Sequence, residues 1–427
     1  MSIQSLRAAH GTAARRLPSR MRPFAVPALI ALLLALTGCQ KTQDPIAGLW
    51  QAEILTERLP DIAFQLDVTR NGDQVTGALV NGPDREEASS GSFDGKTLIL
   101  KFNVYNAELK ADLADGKLTG EFVRQRGNAR SVRKIAATRA IPTYAPKASG
   151  PDLTGDWILE VGEGDGHRVW SASFKQEGEK LTGTVIPVSG EGGAIVGYAR
   201  NGEFYLSRFD GIRALLLTGK VNADGLIEGS VGDRKVIGRR VGQAGAQGPQ
   251  PPDPGAYTKM KNPAEPFRFA GVDLDGKPVK STDPRFQGKV LVVTITGTWC
   301  PNCHDEAPVL VDLYKKYKSQ GLEVVALAFE YSGNQAQDLE LLRLYSQRYG
   351  IDFPLLLAGT TAQGEIDRAL PQLDNFGAYP TTIYVGRDGK VNYIHAGFES
   401  KATGERHQKL VAEMDHRIQT MLAGGKS

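Results

Sequence analysis

The strongest constraint on this chain is a junction late in the sequence. There an apolar, β-branched run, Val290-Leu291-Val292-Val293-Thr294-Ile295, leads within a few residues into Thr298-Trp299-Cys300-Pro301-Asn302-Cys303-His304. Such a run reads as a buried strand. Beyond the cysteines, Val309, Leu310, Leu313 and Tyr314 fall at helical spacing, and Lys315, Lys316 and Lys318 gather toward the end. A Cys-x-x-Cys pair therefore stands where a strand hands over to a helix N-terminus. The unpaired amides and the dipole of a first turn favour an anion, so the Cys300 thiol is expected to ionise more readily than a free cysteine. Pro301 suits that turn because it gives up no needed donor. The two-residue gap lets Cys303 reach back and close a disulfide with Cys300.

Other chemistries use the same residues. Cys-x-x-Cys-His is also the attachment signature of c-type haem, and His304 completes it. A haem site, however, does not call for an apolar strand running straight into Trp-Cys-Pro. Zinc needs about four close ligands, and the chain has only three cysteines in all. A purely structural bridge gains most by closing a longer loop. A redox dithiol accounts best for the pattern.

From about Pro266 to Leu422, a little over a third of the chain, the sequence resembles the TlpA/ResA-like branch of the thioredoxin-fold thiol:disulfide oxidoreductases. Gly297-Thr298-Trp299-Cys300, followed by Cys303, Glu306 and Pro308, is similar to that family's active-site helix with its kink proline. Ala378-Tyr379-Pro380-Thr381-Thr382-Ile383-Tyr384-Val385 resembles the loop that holds its cis-proline, and Gly386-Arg387-Asp388-Gly389-Lys390-Val391 the hairpin that follows. The resemblance implies that Cys300, exposed, attacks a substrate disulfide and that the more buried Cys303 resolves the mixed disulfide. It implies further that Tyr379-Pro380 is cis and pairs with substrate backbone, and that Trp299, Pro301 and Asn302 support the site. No metal or organic cofactor is called for. The implied partners are disulfide-containing exported proteins, cytochrome c apoproteins among them, and a membrane thiol-disulfide electron donor.

Three positions depart from the pattern. Thioredoxin's buried Asp, six residues before the first cysteine, is Thr294 here, which removes the usual proton acceptor. Glu330, at the end of the strand Val324 to Phe329, falls about where this branch places an active-site carboxylate; a plain strand-end Glu is the alternative. His304 replaces a basic residue and reads as a neighbour that tunes the thiol.

Residues 1–38 read as a targeting segment. Arg7, Arg15, Arg16, Arg20 and Arg22 make a basic region free of acids, and Phe24 to Thr37 is an apolar run too short to span a bilayer. It ends in Leu36-Thr37-Gly38-Cys39, which resembles the lipobox of bacterial lipoproteins, with Cys39 as the lipidated residue. A cell-envelope protein facing the periplasm is expected, on the outer membrane in a Gram-negative cell because Gln40 is not Asp. Without those five arginines the formal charge falls from +3 to −2, so no basic surface for nucleic acid is implied.

The first half repeats itself. Gly48-Leu49-Trp50 recurs as Gly155-Asp156-Trp157, and residues 68–77 align without gaps to 174–183. Asn-Gly and Asp-Gly turns separate short alternating runs, a strong hairpin signal. Two tandem all-β domains are expected, antiparallel barrels or sandwiches over 39–145 and 150–242, with Trp50 and Trp157 as core plugs. A Pro/Gly linker over 243–262 then leads to an α/β thioredoxin-like domain over 263–427. Two other classes of function compete: a thiol peroxidase, whose Pro-x-x-x-Thr-x-x-Cys is missing because Val293 and Gly297 occupy those positions, and a binding protein led by its β tandem. The lipobox makes a direct prediction. The wild type should partition into detergent phase and Cys39→Ser should release it; a soluble, cleaved wild type with a free Cys39 thiol would refute the reading.

Overall fold

The structure is a computed structural model that describes residues 44–127, 129–242 and 248–424. The expected targeting segment and Cys39 lie outside them. Among the described residues no helix is long and apolar enough to cross a membrane.

Residues 48–138 form a nine-stranded antiparallel sheet whose edges meet through the pairing of Ile62–Asn71 with Gln74–Asn81, and residues 155–240 form a closed eight-stranded barrel. Of the two β architectures expected, the closed barrel is the one found. Closure leaves few unpaired edges. The internal repeat is structural as well. Trp50 Nε1 donates to the carbonyl of Ile46 and Trp157 Nε1 to that of Leu153, both at 2.9 Å and both four residues back. Each ring plugs its barrel and lies under an arginine from the last strand or just beyond it, Arg139 at 3.7 Å and Arg240 at 4.5 Å from the ring centroid. Gly72 and Gly178 turn equivalent hairpins with the same φ of +62°.

The two barrels are not independent bodies. Phe209, at the end of the second barrel's strand Glu203–Phe209, packs edge-on against Phe64 and Phe122 of the first, with centroids at 5.1 and 4.9 Å. Its amide and carbonyl are both held by the Asn81 side chain, at 3.0 and 2.9 Å.

The linker is less extended than its composition suggests. Pro254–Tyr257 form a helical turn capped by Asp253, and Lys259–Met260 pair with Leu373–Asp374, so its C-terminal part is docked on the third domain.

That domain has a seven-stranded sheet. In chain order its elements are β1 (Ala270–Val272), β2 (Pro278–Lys280), β3 (Val290–Thr296), α1 (Pro301–Tyr317), β4 (Leu322–Glu330), α2 (Gln335–Tyr349), β5 (Leu355–Thr360), α3 (Glu365–Ala369), β6 (Thr381–Val385), β7 (Val391–Ala396) and α4 (Glu405–Leu422). The strand order is β2-β1-β5-β4-β3-β6-β7, with β3, β4 and β5 parallel and β6 antiparallel to β3. This is the thioredoxin-like fold that the resemblance implied.

All seven residues of β3 are buried, as a central strand covered on both faces requires. Val290 and Val292 face a core built with α1, α2 and α4, whereas Leu291, Val293 and Ile295 face one built with Phe267, Phe269 and Phe286. Period-two alternation therefore sends Thr294 and Thr296 to the helix side, under the first turns of α1.

Phe209→Ala should lower stability in urea unfolding by about 3–5 kcal/mol, the range for deleting a buried aromatic side chain. Hydrogen exchange should quicken in first-barrel strands Ile62–Asn71 and Lys117–Arg126, although the residue belongs to the second. Unchanged first-barrel exchange would show that the cores are separate.

Candidate active site

Cys300 is the N-cap of α1 and Pro301 its first helical residue. The Cys300 backbone is extended, and its sulfur accepts the Cys303 amide at 3.3 Å, which satisfies one of the orphan donors of the first turn. Both thiols are free. From the other side, the Cys300 thiol points to the carbonyl of Tyr379 at 3.5 Å. The Tyr379–Pro380 bond is cis, Pro380 is buried, and the Pro380 carbonyl accepts the Gly397 amide at 2.7 Å. Residues almost eighty positions apart thus converge on one sulfur.

Cys303 lies deeper, beneath the turn. Its burial and the neighbouring Cys300 push its thiol well above the usual range. The Tyr345 hydroxyl donates to the Cys303 carbonyl at 2.8 Å. The expectation that Cys300 is exposed is not met: only 4% of its surface is accessible. The second barrel reaches this end of α1 through Ser189 and Arg213, which bind the Asn302 side chain.

Two carboxylates are buried here. Glu306, one turn beyond Cys303 on α1, accepts the Thr294 hydroxyl at 2.7 Å and that of Thr382 on β6. Burial raises it to about 7. Thr294 therefore does not leave the site without an acid; it anchors one that arrives from the helix. The sequence motif includes Glu306, but the motif alone assigns it no role. Its position three residues after Cys303, on the inward face of α1, was the available signal. Glu330, at the end of β4, accepts the Thr298 amide at 2.7 Å and the Thr298 hydroxyl at 2.8 Å, and burial raises it also to about 7. It braces the strand-to-helix turn from below. Trp299, half-buried, donates to the Phe329 carbonyl at 2.7 Å and packs against Tyr331 and Tyr379 at 4.8 and 4.9 Å.

His304 does not tune the dithiol by charge. Its ring is buried, with Nε2 at 2.7 Å from the Thr298 carbonyl and Nδ1 at 2.7 Å from the Tyr349 hydroxyl. A carbonyl only accepts, so Nε2 carries the proton and Nδ1 accepts from Tyr349. Burial lowers its pKa to about 3, and the ring stays neutral between Tyr345 at 4.9 Å and Tyr105 of the first barrel at 4.8 Å.

Nothing in the barrel sequences singled out a residue for the site, yet both barrels reach it. Behind His304, Glu86 of the first barrel accepts the Tyr105 hydroxyl at 2.9 Å and pairs with Arg348 of α2 at 2.8 Å. Asn302, between the two cysteines, gives its side-chain amide to the carbonyl of Ser189 at 2.7 Å and receives Arg213 at 2.8 Å, both residues of the second barrel.

The Redoxin family matches residues 259–409. The thiol-disulfide oxidoreductase ResA of Halalkalibacterium halodurans is 30% identical over 146 residues, 34% of this chain and 73% of that protein. ResA of Geobacillus kaustophilus is 30% identical over 143 residues, 34% of this chain and 74% of that one. A solved thiol:disulfide interchange protein of the thioredoxin family from Chlorobium tepidum is 27% identical, with 38% of this chain and 99% of that chain covered and a TM-score of 0.30. Through its C-terminal third, which carries the free dithiol at a helix N-terminus, this chain belongs to the redoxin family of thiol-disulfide oxidoreductases.

Proposed function

We propose that the protein is an exported, lipid-anchored reductase of protein disulfides, with Cys300 as the attacking residue and Cys303 as the resolving one. The observation that carries the reading is the Cys300 sulfur at the open end of α1, held between the Cys303 amide and the Tyr379 carbonyl. In the first step the Cys300 thiolate bonds to one substrate sulfur, the substrate S–S bond breaks, and the departing sulfur takes up a proton. In the second, Cys303 loses its proton and attacks Cys300. The intramolecular disulfide forms, the second substrate sulfur leaves, and two electrons have passed to the substrate. Glu306, buried three residues on along α1 and raised to about 7, is the carboxyl proposed to take that proton.

The reducing direction is supported by the burial that keeps Cys303 a thiol, since a stabilised dithiolate is what makes such a pair oxidising. A membrane thiol-disulfide donor would restore the dithiol. Leu36-Thr37-Gly38-Cys39 supports the anchor and a place in the cell envelope. The substrate class is the disulfide of an exported protein, a cytochrome c apoprotein being one such case.

The division of labour is testable by trapping. Cys303→Ser should accumulate mixed disulfides through Cys300; trapping only through Cys303, in Cys300→Ser, would reverse the assignment. The raised Glu306 predicts a pH dependence of stability. Its folded value, about 7, lies above the ordinary 4.5. The native state therefore holds a proton that the unfolded state has lost, and stability falls as pH rises through that window. At 1.36 kcal/mol per unit the loss approaches roughly 3 kcal/mol. Urea unfolding at pH 5 and pH 7.5 should show a smaller loss for Glu306→Gln than for the wild type. Equal losses would remove Glu306 as the titrating group.

A further inference from the structure

Both cysteines are buried, and the protein's own second barrel packs against Asn302 between them. Loop 187–193 of that barrel lies along Gly397–Ser400, the segment that follows β7. Gly190 forms a parallel bridge with Phe398, and the Glu191 amide donates to the Phe398 carbonyl at 3.2 Å. The Ser400 hydroxyl donates to the buried Glu191 carboxylate, which also takes the Thr184 hydroxyl at 2.9 Å and the Gly193 amide at 2.6 Å. At the other end of the contact, Ser189 and Arg213 hold Asn302 between the two cysteines.

This contact continues the active-site edge. From the Cys300 sulfur the hydrogen bonds run to the Tyr379 carbonyl, then from the Pro380 carbonyl to the Gly397 amide, and from the next residue, Phe398, to the loop. The approach is backbone to backbone and has room for nothing else. A Cβ at Gly190 would fall on the Phe398 carbonyl and amide and on the Asn302 side chain, and one at Gly397 would meet Val188, Ser189 and Gly190. An extended chain laid along a strand end with main-chain hydrogen bonds is how a polypeptide substrate docks by strand addition. Here a segment of the same molecule lies along the strand end next to the cis-proline loop, and Cys300 itself is 4% exposed.

We propose that loop 187–193 is an autoinhibitory cover. It occupies the backbone edge beside Cys300 that a substrate needs, and an extended segment flanking the substrate disulfide must displace it before the sulfur can react. The contacts suit a reversible device. Those across the seam are polar, and water can replace each of them when the loop lifts. The Glu191 carboxylate keeps two partners within its own barrel after Ser400 has gone, so lifting does not strand a buried charge. The proposal rests on the reductase reading for its meaning but not for its test.

The test is the alkylation rate of Cys300 by iodoacetamide in the reduced full chain, read at the Cys300 peptide by mass spectrometry, alongside insulin-disulfide reduction. Gly190→Val, which cannot seat, should be alkylated at least ten-fold faster than wild type. Ser400→Ala, which removes the hydroxyl that reaches Glu191 and with it the local cap on the Ala402 amide, should be several-fold faster, and insulin reduction should rise in step. If Gly190→Val fails to fold, Ser400→Ala decides. Rates equal to wild type in variants that keep the wild-type melting temperature would overturn the cover. Faster alkylation with slower insulin reduction would also overturn it, because the loop would then be aiding the substrate. If alkylation quickens but neither wild type nor variants reduce insulin, the cover stands and the reductase reading falls. If all three reduce insulin and share one alkylation rate, the reductase reading stands and the cover falls.

Discussion

The interaction on which the site depends is the Cys303 amide directed at the Cys300 sulfur from the open end of α1. A helix start leaves its first amides without intrahelical partners, and a sulfur in the N-cap position is an acceptor for one of them. The rest of the domain holds this geometry in place. β3 is buried on both faces and delivers the chain to the turn; Glu330 clamps the Thr298 amide and hydroxyl from below; His304, held neutral by burial, ties the first helical turn back to the Thr298 carbonyl. Each support is a satisfied polar group in a dry place, where a missing partner would cost about 1–3 kcal/mol.

The same dryness sets the protonation of the groups around the dithiol. Glu306 and Glu330 are both held near 7 by burial and are steadied by threonine hydroxyls rather than by cations. Carboxyls in that condition can exchange protons near neutral pH, which suits a reaction whose resolving thiol must lose one. The site departs from thioredoxin in where its acid comes from. Thr294 has the strand position of the missing Asp, and the acid is supplied instead from the helix above it.

The barrels give the molecule a feature that the redox domain alone would not have. Phe209 and Asn81 lock the two into one body, and that body meets the redox domain at Arg348, behind His304, and at Asn302 and Phe398, in front of the sulfur. A double barrel joined in this way can move against the active site as a unit or by yielding a loop, and loop 187–193 is the segment that lies along Gly397–Ser400.

Much of this could be read from residues in order. Helices Gln335–Tyr349 and Glu405–Leu422, the hairpin turning at Gly276, the strand leading into the dithiol and the twin tryptophans all follow from local patterns, since hydrophobic period, caps and turn residues act over a few positions. The cysteine pair and the proline loop were legible because their chemistry demands particular residue types. Burial of Cys300 was not, because burial depends on groups distant in the chain, such as Tyr379, whose carbonyl meets the sulfur. Nor was the neutrality of His304, which comes from rings and hydroxyls on α2 and the first barrel. The sequence by itself determined the class of each domain and the identity of the dithiol, since both rest on short-range patterning and intrinsic reactivity, whereas closure of the β domains into barrels needed long-range pairing. Only the tertiary structure decided which groups are dry, which carboxylates the threonines hold beneath α1 and what packs against Asn302, because desolvation and contact belong to the packed molecule and to no segment of it.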